Sequence, residues 1–141
     1  EFEVGTSLLT AGRTITEGDI VSFAGLSGDY NQMHVDAEYA AQGEFGQRVA
    51  HGLLVVSMAT GLIVQTGLME GTVLAFRELE WKFSRAVFIG DTIRVKVEIT
   101  ESKPLPRLGG GSIIAKISVI NQTDQVVQRG KMVLLVRSKP A

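Results

Sequence analysis

Asp29 and His34 lie five residues apart in the stretch GDYNQMH, residues 28–34, of a chain that contains two histidines. A carboxylate and an imidazole that face one spot could hold a water molecule and take a proton from it. Regular structure separates the pair, because five helical steps leave the side chains about 140° apart and an odd offset in a strand sends them to opposite faces. Gly28, Asp29 and Asn31 tolerate turn conformations, so the stretch is predicted to be a shaped loop.

The second histidine precedes a strongly apolar segment in RVAHGLLVVS. His51 and Gly52 would then stand at the start of a buried helix, where N–H groups lack partners and the helix dipole favours a developing negative charge. Because Gly52 has no side chain, a substrate carbonyl oxygen could approach its N–H closely. We therefore predict an oxyanion site at Gly52, with Ser57 about one turn further along, and a structural role for His51 as a partner of a nearby carbonyl.

Each of these residues also has an ordinary structural interpretation. Asp29 alone fits an Asx turn, Asn31 fits a side chain that hydrogen-bonds the backbone, and Ser57 fits a helical serine bonded to the carbonyl four residues back. The joint spacing of Asp29 and His34, together with His-Gly before an apolar helix, favours a site. No metal site is predicted, because two histidines and scattered carboxylates show no ligand spacing.

Two short helices are predicted to flank the loop. Thr16 and Asp19 are typical of a helix N-cap and its acidic first turn, and Asp36 can cap a second helix over residues 37–42. In residues 53–65 nearly every side chain is apolar or small, so a helix there must be wrapped by other elements. It is shorter than the roughly 20 residues that a membrane span needs.

The second half of the chain supplies the wrapping. Alternating apolar and polar residues predict half-buried strands over 93–99 and 113–119, and further strands are predicted over 73–83 and within 125–137. Early helices and late antiparallel strands indicate an α+β fold, a curved antiparallel sheet wrapped around a central apolar helix. The glycine-rich stretch at 108–112 lacks the lysine of a P-loop and is predicted to be a flexible turn.

Composition limits the partners and the location. A chain of 141 residues with a net charge of -1 fits a single domain, residues 1–141, that binds neither nucleic acid nor membrane. The absence of cysteine and of a visible leader predicts a cytoplasmic location. Apolar residues on both faces of the predicted strands, such as Ile114 and Ile120, predict that a second subunit covers part of the sheet, most simply in a homodimer.

Two segments resemble the MaoC-like (R)-specific enoyl-CoA hydratases, a family with the hot-dog fold. They are FAGLSGDYNQMHVD, residues 23–36, and VAHGLLVVS, residues 49–57. The segment FSRAVFIGDTIRVKVEI, residues 83–99, is also similar to a strand-turn-strand element of the family. The chain departs from the family pattern at Gln32 and Ala86, where proline is usual.

The resemblance implies hydration of a trans-2-enoyl-CoA to an (R)-3-hydroxyacyl-CoA, or the reverse dehydration. It assigns catalysis to Asp29 and His34, which would activate one water, and oxyanion or substrate binding to Gly52, Asn31 and Ser57. It implies no cofactor beyond the coenzyme A of the substrate. Two alternatives stay open, a hot-dog acyl-CoA thioesterase and a non-catalytic subunit that binds acyl thioesters. The sequence leaves open the acyl chain length and whether the carrier is coenzyme A or acyl carrier protein.

Overall fold

The predicted helices and strands are present, but the strand predicted over 93–99 continues to Leu105. The computed structural model describes residues 2–138. The helices are α1 (Glu17–Ser27), α2 (Gln32–Val35), α3 (Ala37–Ala41) and α4 (Gly52–Gln65), and a 3-10 turn covers Pro106–Leu108. The strands are β1 (Ser7–Leu9), β2 (Arg13–Thr14), β3 (Val73–Phe83), β4 (Thr92–Leu105), β5 (Gly110–Ile120) and β6 (Val126–Arg137).

Local sequence signals explain where α1 begins and ends. The Thr16 hydroxyl accepts a hydrogen bond from the Asp19 N–H, and the Asp19 carboxylate accepts one from the Thr16 N–H, which completes a capping box. At the other end Gly28 adopts a left-handed conformation with φ of 79° and its N–H bonds to the Ala24 carbonyl. The helix therefore delivers the chain to Asp29 in a fixed direction.

The strands form one antiparallel arrangement. Their order is β1-β4-β5-β6-β3, and β2 pairs with β4 beside this path. The short strands β1 and β2 carry too few residues for an alternating pattern, and the sequence did not predict them. Within residues 2–138, β3 has a partner strand on one side only, so it forms an open edge of the sheet.

The core lies between α4 and the inner face of the sheet. Residues that alternate along β4 and β5 are buried there: Ile93, Val95, Val97, Ile99, Ile113, Ala115, Ile117 and Val119. Helix α4 contributes Leu54, Val55, Val56, Met58, Ala59, Leu62 and Ile63. Each large aliphatic side chain removed from water contributes about 1.5–3 kcal/mol, so this interface dominates the stability of the fold. The predicted sheet around a central apolar helix is confirmed.

One stripe of α4 is not wrapped by this chain. Leu53 is 61% and Val64 60% exposed, and Ser57 between them is also exposed. The sheet therefore covers one side of α4 and leaves this stripe uncovered within the described residues. Ile120 is buried within the chain and Ile114 is half-buried, so these two residues do not leave an exposed apolar strand face, whereas α4 and β3 do carry exposed apolar side chains.

Two smaller predictions are settled by the structure. The stretch 108–112 is only partly a turn, because Gly109 is left-handed after the 3-10 turn and residues 110–112 already belong to β5. None of the helices in the described residues combines the length and apolar character that crossing a membrane requires.

Candidate active site

The segment between α1 and α3 is held by side chains that bond to their own backbone. The Asp29 Oδ1 atom accepts a hydrogen bond from the Asn31 N–H at 3.2 Å, and the Asn31 Oδ1 atom accepts one from the Met33 N–H at 3.2 Å. The second bond makes Asn31 the N-cap of α2. The prediction of an irregular loop thus holds up to Asn31, but His34 stands on a short helical turn.

This arrangement brings Asp29 and His34 together. The Nε2 atom of His34 lies 3.9 Å from the Oδ2 atom of Asp29. The His34 Nδ1 atom is 2.7 Å from the carbonyl oxygen of Val49, and since a carbonyl only accepts, Nδ1 carries the proton and the Nε2 lone pair faces the carboxylate. The imidazole is buried, whereas the Asp29 side chain is 52% exposed.

His51 connects the two parts of the site. Its Nε2–H donates to the Asp29 carbonyl oxygen at 2.9 Å, and its ring stacks on that of His34, with the ring of Phe23 edge-on at 4.9 Å. Its buried Nδ1 atom has no hydrogen-bond partner in the described part of the chain. The interpretation of His51 as a structural histidine bonded to a carbonyl is confirmed.

Gly52 begins α4 directly after His51. Among the hydrogen bonds of the described residues, none uses the Gly52 N–H as a donor, as expected at the first position of a helix. The ring of Phe83 packs against the Gly52 Cα atom so closely that a Cβ atom there would lie 2.7 Å from a ring carbon. Glycine is therefore required at this position if Phe83 is to keep its place.

A cavity of about 1260 Å³ opens beside these groups. Asp29, His34, His51 and Gly52 line it, and so do Phe83, Arg85 and Gln128. Within residues 2–138 the structure buries four polar side chains, and three of them, His34, His51 and Gln128, belong to this cavity. Buried polar groups are costly unless they are partnered, so their concentration makes this cavity the candidate functional site.

Two residues predicted for substrate binding lie outside the cavity lining. Asn31 uses its side-chain oxygen to cap α2. Ser57 is exposed on α4 and its hydroxyl donates to the Leu53 carbonyl oxygen at 2.8 Å. These are the structural interpretations weighed for both residues, and a binding role for either stays a prediction.

Metal binding by this site was not expected from the spacing along the chain. The fold nevertheless brings one ligand atom each from Asp29, His34 and His51 to within 4.8 Å of one another. One nitrogen of each imidazole is already engaged with a backbone carbonyl. The two rings are stacked with their planes only 25° apart, whereas metal ligands need lone pairs that converge on one point.

Sequence reasoning missed Gln128, which is 2% exposed. A signal was available, since Gln128 is in phase with the inward-facing Met132, Leu134 and Val136 of β6 and is the polar member of that set. A polar residue on the core face of a strand needs a partner. The partners of Gln128 are Trp81 on β3 and Gly52 on α4, both distant in sequence.

The fold and the site together define the class. The architecture is the hot-dog fold that similar solved structures share. Residues 1–113 match the family model described as a MaoC like domain. The chain belongs to the MaoC-like domain family.

Named relatives agree with this assignment. The chain is 46% identical over 98 residues to Protein MaoC of Klebsiella aerogenes, a match that covers 69% of this chain and 29% of that protein, so the chain spans less than a third of it. It is 30% identical over 139 residues to 3-hydroxybutyryl-CoA dehydratase of Methylorubrum extorquens, covering 99% of this chain and 83% of that protein. A solved structure titled monoamine oxidase regulatory protein, from Archaeoglobus fulgius, is similar with a TM-score of 0.90 and 34% identity, over 98% of this chain and 92% of that one.

Proposed function

We propose that this protein is an (R)-specific enoyl-CoA hydratase, a hydro-lyase that also runs in reverse as a 3-hydroxyacyl-CoA dehydratase. The observation that carries the proposal is the separation of 3.9 Å between the Asp29 Oδ2 and His34 Nε2 atoms at the wall of a large cavity. Relatives named for dehydration or hydration of acyl-CoA substrates support it.

The separation suits one water molecule. A water oxygen about 2.8 Å from each atom would see atoms 3.9 Å apart at an angle of about 90°, close to the angle between its own O–H bonds. Both atoms are acceptors, so both hydrogens of the water are used. Its lone pairs then point away from the pair, towards a substrate in the cavity.

The proposed reaction divides the work among three groups. His34 Nε2 takes a proton from the water as the water oxygen bonds to Cβ of the enoyl thioester. The electrons of the double bond move onto the thioester oxygen, and the Gly52 N–H stabilises the enolate. Asp29 either orients the water, in which case His34 passes the proton it has taken to Cα, or receives that proton from His34 across the 3.9 Å between them and returns it to Cα. One O–H bond and the π bond of the alkene are broken, one C–O and one C–H bond are formed, and both side chains return to their starting state. The hydrogen bond from the Gly52 N–H would lower the activation free energy by about 3 kcal/mol.

The proposal also states which cofactors and which cellular location the reaction needs. Coenzyme A enters as part of the substrate, no further cofactor or metal takes part, and Arg85, an exposed cation on the cavity wall, is available for a phosphate of coenzyme A. A cytoplasmic location is proposed from the composition, which contains no cysteine.

We also propose a homodimer. The open edge of β3 exposes Phe76, Leu79 and Phe83, and α4 exposes Leu53 and Val64. An unpaired strand edge and an apolar helix stripe are surfaces that a second copy would cover.

The test follows two signals from one reaction. With a conjugated enoyl-CoA, hydration removes the ultraviolet absorbance of the double bond without releasing thiol, and an (R)-specific 3-hydroxyacyl dehydrogenase should oxidise the product. Release of free coenzyme A without loss of the double bond would support the thioesterase instead. Binding of the acyl-CoA with neither signal would support the non-catalytic subunit.

A further inference from the structure

The buried side chain of Gln128 joins the start of α4 to the sheet. Its Nε2 atom donates to the Gly52 carbonyl oxygen at 3.2 Å, and its Oε1 atom accepts from the indole N–H of Trp81 at 2.9 Å. Gln128 lies 76 residues beyond Gly52 and 47 beyond Trp81 in the sequence. The bridge therefore exists only in the folded protein.

The orientation of this amide is determined by its partners. An indole N–H only donates and a backbone carbonyl only accepts, so the amide oxygen must face Trp81 and the amide nitrogen must face Gly52. The flipped amide would place donor against donor and acceptor against acceptor at a buried position, which costs about 1–3 kcal/mol for each unmade bond. Trp81 thus selects the orientation in which Gln128 bonds to Gly52.

Strand β3, which pairs with β6, makes a second contact with Gly52. Phe83 is the direct cross-strand partner of Gln128, and its ring packs against the Gly52 Cα atom. Gly130, opposite Trp81, leaves space for the indole, since a Cβ atom at residue 130 would lie 2.6 Å from an indole carbon and 1.9 Å from the Glu80 carbonyl oxygen. Two neighbouring side chains of β3 and β6 thus contact Gly52, one through an aromatic ring and one through an amide.

We propose that Gln128, oriented by Trp81, is a positioning residue that holds Gly52 where its free N–H meets the thioester oxygen of the substrate. The catalytic consequence rests on the proposed function. The structural part, that the bridge holds the Gly52 carbonyl and so restrains the Gly52 Cα atom to which the N–H is also attached, stands without it. Gln128 acts through Gly52 and is not assigned contact with the reacting atoms.

The kinetic test uses Gln128→Met, which keeps an unbranched side chain but removes both hydrogen bonds, and Trp81→Phe, which removes only the indole donor. Loss of a whole oxyanion donor costs about 100- to 1000-fold in kcat, so a displaced donor is expected to cost about 10-fold in Gln128→Met, with KM within about threefold. Trp81→Phe is expected to lower kcat by a smaller factor. In the double variant the Trp81→Phe change should have no further effect, because the residue it orients is gone.

A matched control is Gln65→Met, the same chemical change at an exposed position at the other end of α4. It should keep the wild-type kcat. If Gln128→Met also keeps it, or if the two single changes act independently in the double variant, the positioning role is wrong. Urea unfolding of each variant shows that kcat is compared between folded proteins.

A readout without turnover separates this proposal from the proposed function. Trp81 is the one tryptophan of the chain, so its fluorescence emission should shift in Gln128→Met when the indole N–H loses its acceptor. The Gly52 amide resonance of the ligand-free protein should be single in the wild type and in Gln65→Met, and broadened or multiple in Gln128→Met. An unchanged Gly52 resonance in Gln128→Met would overturn the inference even in an active enzyme. Inactivity of the wild type would overturn the function alone.

Discussion

The imidazole rings of His34 and His51 stack with their centroids 3.8 Å apart. The His34 ring is thus fixed twice, at its Nδ1 atom by the Val49 carbonyl and across its face by His51. The same His51 bonds the carbonyl oxygen of Asp29. One buried residue therefore sets the relative position of both groups that we propose to activate water.

The first prediction concerns the pair itself. Asp29→Asn and His34→Gln should each lower kcat about 100-fold or more, because each removes a proton-transfer group, while the affinity for a saturated acyl-CoA stays within a few-fold. Steady-state hydration kinetics and isothermal titration calorimetry measure the two quantities. Asp36→Asn is the matched control, since asparagine also caps helices and Asp36 caps α3 outside the cavity. Wild-type turnover in either site variant would rule out the assigned chemistry.

The second prediction separates the two contacts of His51. His51→Phe keeps a ring against His34 but loses the bond to Asp29, and His51→Gln keeps a donor but loses the stacking. Each should lower kcat about fivefold, the equivalent of one hydrogen bond of about 1 kcal/mol.

Stability should respond differently from activity in these variants. His51→Phe removes the buried Nδ1 atom that has no hydrogen-bond partner among the described residues. Its free energy of unfolding, measured in urea, should therefore lie within about 1 kcal/mol of the wild-type value. Full activity in both variants would show that the position of Asp29 and His34 does not depend on His51.

The third prediction concerns metal ions. Because the rings of His34 and His51 are stacked with their planes 25° apart, whereas ligand lone pairs must converge on one ion, hydration should be unaffected by dialysis against EDTA. The rate before and after dialysis, with metal analysis of the protein, measures this. A loss of rate that Zn²⁺ restores would instead identify the cluster of Asp29, His34 and His51 as a metal site.

The fourth prediction concerns acid stability at the start of α1. Burial raises the pKa of Asp19, but the hydrogen bonds from Thr16 and the guanidinium of Arg13, 2.9 Å away, outweigh it, so the pKa lies below its usual value. A pKa that is lower in the folded state stabilises the fold above the unfolded pKa, about 3.9, and this contribution is lost as the pH falls through the folded pKa.

Asp19→Asn should therefore destabilise the protein by about 1 kcal/mol near neutral pH, and the difference from the wild type should shrink as the pH falls below about 4. Urea unfolding across pH measures it. Glu44→Gln, at an exposed carboxylate without a side-chain bond among the described residues, should show no such difference. If the difference in unfolding free energy between the wild type and Asp19→Asn grows as the pH falls, the lowered pKa of Asp19 is contradicted.

The fifth prediction concerns assembly. Light scattering should give twice the chain mass of 15.2 kDa, and Leu79→Lys on the open edge of β3 should give the mass of one chain, because a buried lysine opposes pairing of the edge. Lys96→Glu, on the exposed face of β4, should remain dimeric. A wild-type protein with the mass of one chain would end the dimer proposal.

Local sequence patterns predicted much of the fold for identifiable reasons. The capping box of Thr16 and Asp19 acts within four residues, and the period-two alternation in β4 and β5 follows from strand geometry alone. Asn31 is an N-cap whose following residue, Gln32, is the first of α2. Proline is well suited to that helical position, so the departure at Gln32 leaves the turn intact.

The remainder depended on residues distant in sequence. The bridge from Trp81 through Gln128 to Gly52 and the stack of His34 on His51 have no short-range signal, because each joins side chains that only the packing of α4 on the sheet brings together. The exposed stripe of Leu53, Ser57 and Val64 on α4 could not be located from the sequence for the same reason. Periodicity gives the apolar character of a helix but not how much of it the sheet can reach.

By itself the sequence determined which residues could do chemistry and which elements carry them, since residue types, caps and periodicity act over a few positions. It showed that one regular element could not bring Asp29 and His34 together, and it placed Gly52 at a helix start. Only the tertiary structure decided that these three share a cavity and that His51 and Gln128 hold them there. Distances between side chains on separate elements are set by packing, and packing belongs to the whole chain.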